Sequence, residues 1–287
     1  MDKTGAIILG ASLFIIMFGM GLSLSIDDFK RVFKFPKAVF IGVVNQLVLL
    51  PIIGFTIASV LNLEAEIAVG IMILAACPGG ATSNLIAHLA KGDTALSVTL
   101  TAVSSLITII TIPFIVNFAL IQFLSQDQII SIDVIQTIGQ LVIIIILPVA
   151  LGMLVNAKAN NFARKMDKTV RIASAFVLGL VIVGIIIKEK SNVIPYFQQA
   201  GIAALLLNIV TMSMGYLSSR AAKLSIKQSI SIAIESGIQN GTLAITIATI
   251  TLGNTKLAIA GAIYSLIMFF TGTVIVLIRS KNVDQPS

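Results

Sequence analysis

Nine apolar runs, at 5–25, 38–61, 67–90, 95–121, 134–156, 170–187, 194–217, 228–252 and 257–278, take up most of this 287-residue chain. Runs of roughly 18–25 apolar residues, coiled as α-helices, match the hydrocarbon thickness of a bilayer. Within that thickness every backbone N–H and C=O must be paired inside the protein, and a helix does this locally. The pattern predicts an all-α polytopic membrane protein with nine transmembrane helices. Charge agrees: 11% of residues are charged, where a soluble domain carries about 25%. The first run is too long for a signal-peptide core and lacks a cleavage site, so it reads as a span. The single cysteine, Cys77, excludes an intramolecular disulfide, and with the single histidine, His88, leaves a His/Cys metal centre without ligands.

Basic residues orient the spans. Loops on one side hold fourteen Lys and Arg between Lys30 and Lys281, whereas the other side holds Lys3, Lys188, Lys190 and Lys256. The positive-inside rule then places the N-terminus outside and the C-terminus in the cytoplasm, which requires an odd number of spans.

Two spans contain residues that break helices. The third carries "CPGGATSN" (77–84) and the eighth "ESGIQNG" (235–241). Proline removes a backbone donor and glycine disfavours helix. The two spans are five apart and so cross in opposite directions, which marks an inverted-topology repeat with broken helices in matching positions. The simplest division is a first repeat at 1–124, four helices lacking the first of a five-helix unit, and a second of five helices at 125–287.

One acid stands apart. Glu235 alone among the carboxylates lies within an apolar run, at a depth that costs about 2.5–3.5 kcal/mol for a charge. No basic side chain shares that depth, so its partner is a soluble cation or a proton. Oxygen donors are close in sequence or by symmetry: Ser83 and Asn84 after the first break, Gln239 and Asn240 after the second, and Asn45-Gln46 within span 2. Ser97 and Thr101, four residues apart, share one helix face. Neutral oxygens with one carboxylate suit an alkali cation, because a divalent ion takes more carboxylates. The helix starts after the breaks offer N–H groups to an anion.

These motifs, with "SVTLT" (97–101) between them, resemble the bile acid:sodium symporter family over 5–280. The resemblance implies a panel domain (5–25 and 134–187) and a core domain (38–121 and 194–278) in which the broken helices cross. It implies two co-transported sodium ions. One would be held by Ser83, Asn84, Ser97, Thr101 and Glu235. The other would be held by Gln46, Glu235 and Gln239, with backbone carbonyls of Ser236 and Ile238. It also implies a substrate site between core and panel, with Thr82, Asn240 and Thr242 as candidates, although Ala81 stands where a further hydroxyl is expected. The substrate is expected to be a small carboxylate such as pantoate or a 2-oxo acid, with bile acid second. The implied setting is the bacterial cytoplasmic membrane, with the lipid bilayer as surroundings and neither nucleic acid nor an obligate protein partner.

Other classes fit less well. An exporter of the arsenite type, proton-coupled or uncoupled, would use Cys77 as a thiolate ligand. An intramembrane hydrolase needs a Ser–His or paired-acid arrangement at depth, and His88 lies near a span end. A receptor would need an extramembrane domain. Reporter fusions test the orientation: one placed after Ser287 should read cytoplasmic and one before Met1 extracytoplasmic. Two cytoplasmic termini would contradict an odd span count.

Overall fold

The structure, a computed structural model, describes residues 3–124, 132–188 and 193–281. The expected repeat boundary at 124/125 and Lys190 fall at or outside these limits. The described residues form helices α1 (Lys3–Leu22), α2 (Ile26–Lys30), α3 (Pro36–Val44), α4 (Leu50–Val60), α5 (Ala65–Ala76), α6 (Ala81–Leu89) and α7 (Thr94–Phe123). They continue with α8 (Val134–Leu141), α9 (Leu147–Lys158), α10 (Asn160–Lys188), α11 (Val193–Ala221), α12 (Ile226–Gly237), α13 (Gly241–Thr246) and α14 (Ala258–Lys281).

Five continuous helical segments are long and apolar enough to cross a membrane: Pro36–Val60, Thr94–Phe123, Val134–Lys158, Pro195–Ala221 and Ala258–Ser280. A sixth is formed by Leu9–Leu22 with Ile26–Phe33, if the pair, bent by 72°, counts as one. The multi-pass, all-helical character thus stands among the described residues. The remaining three of the nine expected spans are the two broken ones and the segment in α10. That helix also corrects a loop: the polar stretch 157–169 is helical except at Ala159. It has no Gly or Pro, and its Lys, Arg, Met and Ala sustain helix beyond the apolar segment.

Two of the long segments change pitch for a local reason. Pro51 and Pro148 have no N–H, and each ring crowds the carbonyl four residues back. Each is preceded by a π-helical turn, Asn45–Leu49 and Val142–Ile146. There Leu50 N–H bonds Asn45 O and Leu147 N–H bonds Val142 O, five residues back. Such turns redirect side chains and often lie at functional positions. Side-chain caps start the helices beside the loops: Asp93 accepts from Leu96 N–H and Asp133 from Gln136 N–H, both at 3.0 Å.

Burial is distributed in a way a bilayer requires. Every residue of α5 from Ile67 to Ala76 is buried, as are Ser229–Gly237 in α12 and all of α13. The unbroken helices around them expose Phe40, Ile110, Phe114, Phe270 and Leu277 by more than half. Large exposed apolar side chains on the outside are the reverse of a soluble surface and suit lipid. The interrupted backbone is sheltered inside, where protein groups can satisfy it.

Helices α1 and α9 touch through backbone. A Cβ on Gly21 would lie 2.2 Å from Val149 O, and one on Gly152 would lie 2.3 Å from Phe18 O. Close small-residue contacts of this kind are a main source of helix association in lipid. Gly152→Val should therefore lower the thermal stability of the purified protein by about 1–3 kcal/mol. Gly139→Val, with nothing within 4 Å of the added carbon, should leave it nearly unchanged. Equal melting temperatures for the two variants would contradict the backbone contact.

Candidate functional site

The two breaks meet at the centre. Helix α5 ends at Cys77 and α12 at Ile238, both in extended conformation. Gly79 and Gln239 then pair as an antiparallel bridge, and Asn240 N–H donates to Pro78 O at 2.9 Å. Pro78 has no hydrogen to give, so its carbonyl is the side of the peptide that takes part.

Each half-helix end leaves a carbonyl without an intrahelical donor, and each is met by an amide side chain from a neighbouring helix. Gln46 Nε2 donates to Cys77 O at 2.8 Å. Asn208 Nδ2 donates to Gly237 O at 2.7 Å, and Tyr264 Oη donates to the same oxygen at 2.7 Å. Cys77 and Gly237 each lie two residues before a member of the Gly79–Gln239 pair. Gln46 was singled out from the sequence; Asn208 and Tyr264 were not. The available signal was Asn208 as the one amide deep within the run 194–217.

The carboxylate of Glu235, 2% exposed, points at the start of α6 and the face of α7. Ser83 Oγ lies 2.7 Å from Oε2, Thr101 Oγ1 2.6 Å from Oε1 and Ser97 Oγ 3.3 Å from Oε2. Asn84 Oδ1 completes the group, accepting from Ser97 at 2.8 Å and Thr101 at 3.1 Å. Five side chains expected to act together are thus joined in one hydrogen-bond network. Gly79 makes the approach possible, since a Cβ there would sit 2.2 Å from Glu235 Oε1.

This cluster holds more acceptors than hydrogens. Ser83 also lies 2.6 Å from Gly80 O, and Thr101 3.1 Å from Ser97 O. Ser83 and Ser97 each face two acceptor oxygens and Thr101 faces three, while a hydroxyl carries one hydrogen. Among the described residues no basic side chain forms an ion pair with Glu235. Buried oxygens in excess of donors, with one negative charge, are the chemistry of a hard-cation cage.

The second expected set is assembled differently. Gln46 and Gln239 bond side chain to side chain, with Nε2 to Oε1 at 2.7 Å. Gln239 Nε2 also donates to Ser236 O at 2.8 Å and Glu235 O at 3.3 Å. Here Glu235 takes part through its backbone carbonyl, while its carboxylate hydrogen bonds all go to the first group. Ile238 is buried in the extended segment beside them.

The three substrate candidates line one cavity of about 130 Å³ beside the crossing. Thr82, Asn240 and Thr242 face Ile16 and Met20 of α1 and Val170 of α10 across it. Asn240 Oδ1 caps α13 by accepting from Leu243 N–H at 3.0 Å, which leaves its Nδ2 as the donor for a ligand. The first turn of α6 has no side-chain cap. Ala81 lines the same wall without adding a polar group.

The model of the sodium bile acid symporter family matches residues 11–196, which includes the first break and stops short of α12. An uncharacterised sodium-dependent transporter of Bacillus subtilis, YocS, is 30% identical over 272 residues, covering 94% of this chain and 82% of that one. A probable sodium/metabolite cotransporter of Arabidopsis thaliana chloroplasts, BASS1, is 30% identical over 91% of this chain and 64% of its own length. The human ileal sodium/bile acid cotransporter is 29% identical over 81% of this chain and 66% of its own. The chain thus spans about two thirds of the plant and human relatives.

Gly79→Ala tests the crossing. The added methyl should displace the Glu235 carboxylate and abolish any cation-dependent rise in melting temperature, with helix content retained. An undiminished response to sodium would contradict the tight placement of Glu235 against Gly79.

Proposed function

The chain belongs to the sodium bile acid symporter family, and from that premise we propose that it is a sodium-coupled secondary-active symporter of a small organic anion. The observation that carries this reading is the excess of buried oxygens around Glu235. Ser83, Asn84, Ser97, Thr101 and Glu235 hold one sodium ion. Gln46, Gln239, Glu235 and the carbonyls of Ser236 and Ile238 hold a second, once the amides turn their oxygens inward. Loading replaces hydrogen bonds within each group by ion–oxygen contacts and ties α6, α7 and α12 into one unit.

Charge supplies the coupling. One fixed carboxylate, two sodium ions and a monoanion sum to zero. Core motion with both ions but no anion would carry net charge through a low-dielectric region, which is costly. Because binding free energies are reciprocal, sodium then raises the affinity for the anion as much as the anion raises that for sodium.

Cavity size favours the smaller substrate class. Drug-sized ligands occupy pockets of roughly 300–1,000 Å³, and the 130 Å³ here suits a small carboxylate better than a bile acid. Thr82, Thr242 and the amide of Asn240 supply hydrogen bonds, and the start of α6 supplies backbone N–H groups. The exporter reading with a Cys77 thiolate has less support, because Cys77 is packed into the hydrophobic core and does not line the cavity.

In this reading α5 with α6 and α12 with α13 count as one broken span each, and α10 as a further one. Nine spans result, in the two repeats at 1–124 and 125–287. The panel (5–25 and 134–187) and the core (38–121 and 194–278) rock about the crossing, with the C-terminus cytoplasmic.

Uptake of radiolabelled small carboxylates into proteoliposomes should require an inward sodium gradient. Replacing Ser97 and Thr101 together by Ala removes two neutral ligands, each worth about 1–3 kcal/mol. Half-maximal sodium should rise at least tenfold, each 1.4 kcal/mol being about a factor of ten. Uptake that ignores sodium, or a double variant with wild-type sodium dependence, would contradict the proposal.

A further inference from the structure

A second cavity lies on the outer side of α12, lined by neither α1 nor α10. It is an open groove of about 490 Å³ between α11, α12 and α14, a volume in the range of ligand sites. Its polarity is graded along the helices. Its inner end is made by Met212, Ala233 and Ile234, and Met212 abuts the second break: a Cβ on Gly237 would lie 2.0 Å from its Cγ. Its outer end is made by Tyr216 and Arg279, near the C-terminal end of α14. The cavity opens sideways: Leu217 and Ile278 on its rim are 60% and 54% exposed, on a surface that faces hydrocarbon in a membrane.

Arg279 makes this more than an apolar gap. Its Nε is buried with no hydrogen-bond partner, and among the described residues no acid pairs with the side chain. A guanidinium presents a planar fork suited to phosphate. Lys227 lies on α12 one turn before the lining residue Ile230 and adds positive charge at the same end. An apolar trough open to lipid, with an unpartnered guanidinium at its headgroup end, matches one kind of occupant. We propose that this groove binds an anionic phospholipid of the surrounding leaflet, with an acyl chain against α12 and the phosphate on Arg279. Basic pockets between membrane helices hold anionic headgroups by this combination of charge and shape. The chain would rest directly behind the half-helix that carries Glu235.

Purified full-length protein in neutral detergent provides the test, with phosphatidylglycerol or phosphatidylcholine added and both melting temperature and retained lipid measured. A ligand that binds only the folded state raises apparent stability with its occupancy. Phosphatidylglycerol should raise the melting temperature and remain bound in native mass spectra, and phosphatidylcholine should do neither. Arg279→Gln should lose the phosphatidylglycerol shift. Ser213→Phe, which fills the groove from its exposed wall with Arg279 intact, should lose it too, and keeps the test valid if the arginine variant folds poorly. Equal stabilisation by the two lipids, or an undiminished shift in either folded variant, would overturn the proposal.

Discussion

A backbone carbonyl released in the middle of a bilayer must be met by another part of the protein, and two such carbonyls, at Cys77 and Gly237, organise this interior. An unpaired amide there would cost several kcal/mol. The breaks therefore cannot face lipid, and they lie inside a ring of unbroken helices. They pair with each other through Gly79 and Gln239, and the helices that flank them must bring polar side chains inward. Gln46 and Asn208 do so, each donating to the carbonyl at the end of a different half-helix.

The same constraint explains why a charge can be buried here. Glu235 lies in the last turn of α12, so crossing the breaks brings its carboxylate onto α6 and α7. Ser83 reaches it from α6, and Ser97 and Thr101 from α7, the next helix after a short connection. Gly79 leaves the space. The crossing and the oxygen cluster around Glu235 are in that sense one structure, and a change at the crossing acts on both.

Much of this was legible in the sequence, because depth within an apolar run is a one-dimensional property. The breaks at 77–84 and 235–241, the isolation of Glu235 and the Ser97–Thr101 spacing needed no coordinates. The five residues of the first group come together as expected. What sequence could not show depends on aim in three dimensions. Gln46 and Gln239 bond to each other, and only the backbone of Glu235 joins them. The π-helical turn ahead of Pro51 shifts the helix register at Gln46, which periodicity alone cannot display. Asn208 and Tyr264 were passed over because a lone amide and a lone tyrosine in apolar runs carry no motif. The continuation of α10 through 160–169 was hidden by its charges, which read as loop when only hydropathy is weighed.

Glu235 is the centre of this arrangement, and counting sodium ions tests it most directly. Equilibrium binding of radioactive sodium to purified protein should saturate at two ions per chain. In Glu235→Gln the size and one oxygen are kept while the charge is lost, so the protein should remain folded, and the burial cost of the acid is removed. Saturable sodium binding should then disappear over the wild-type concentration range, together with the effect of sodium on anion affinity. Two ions bound at wild-type affinity in that variant would show that the buried carboxylate does not hold the cations.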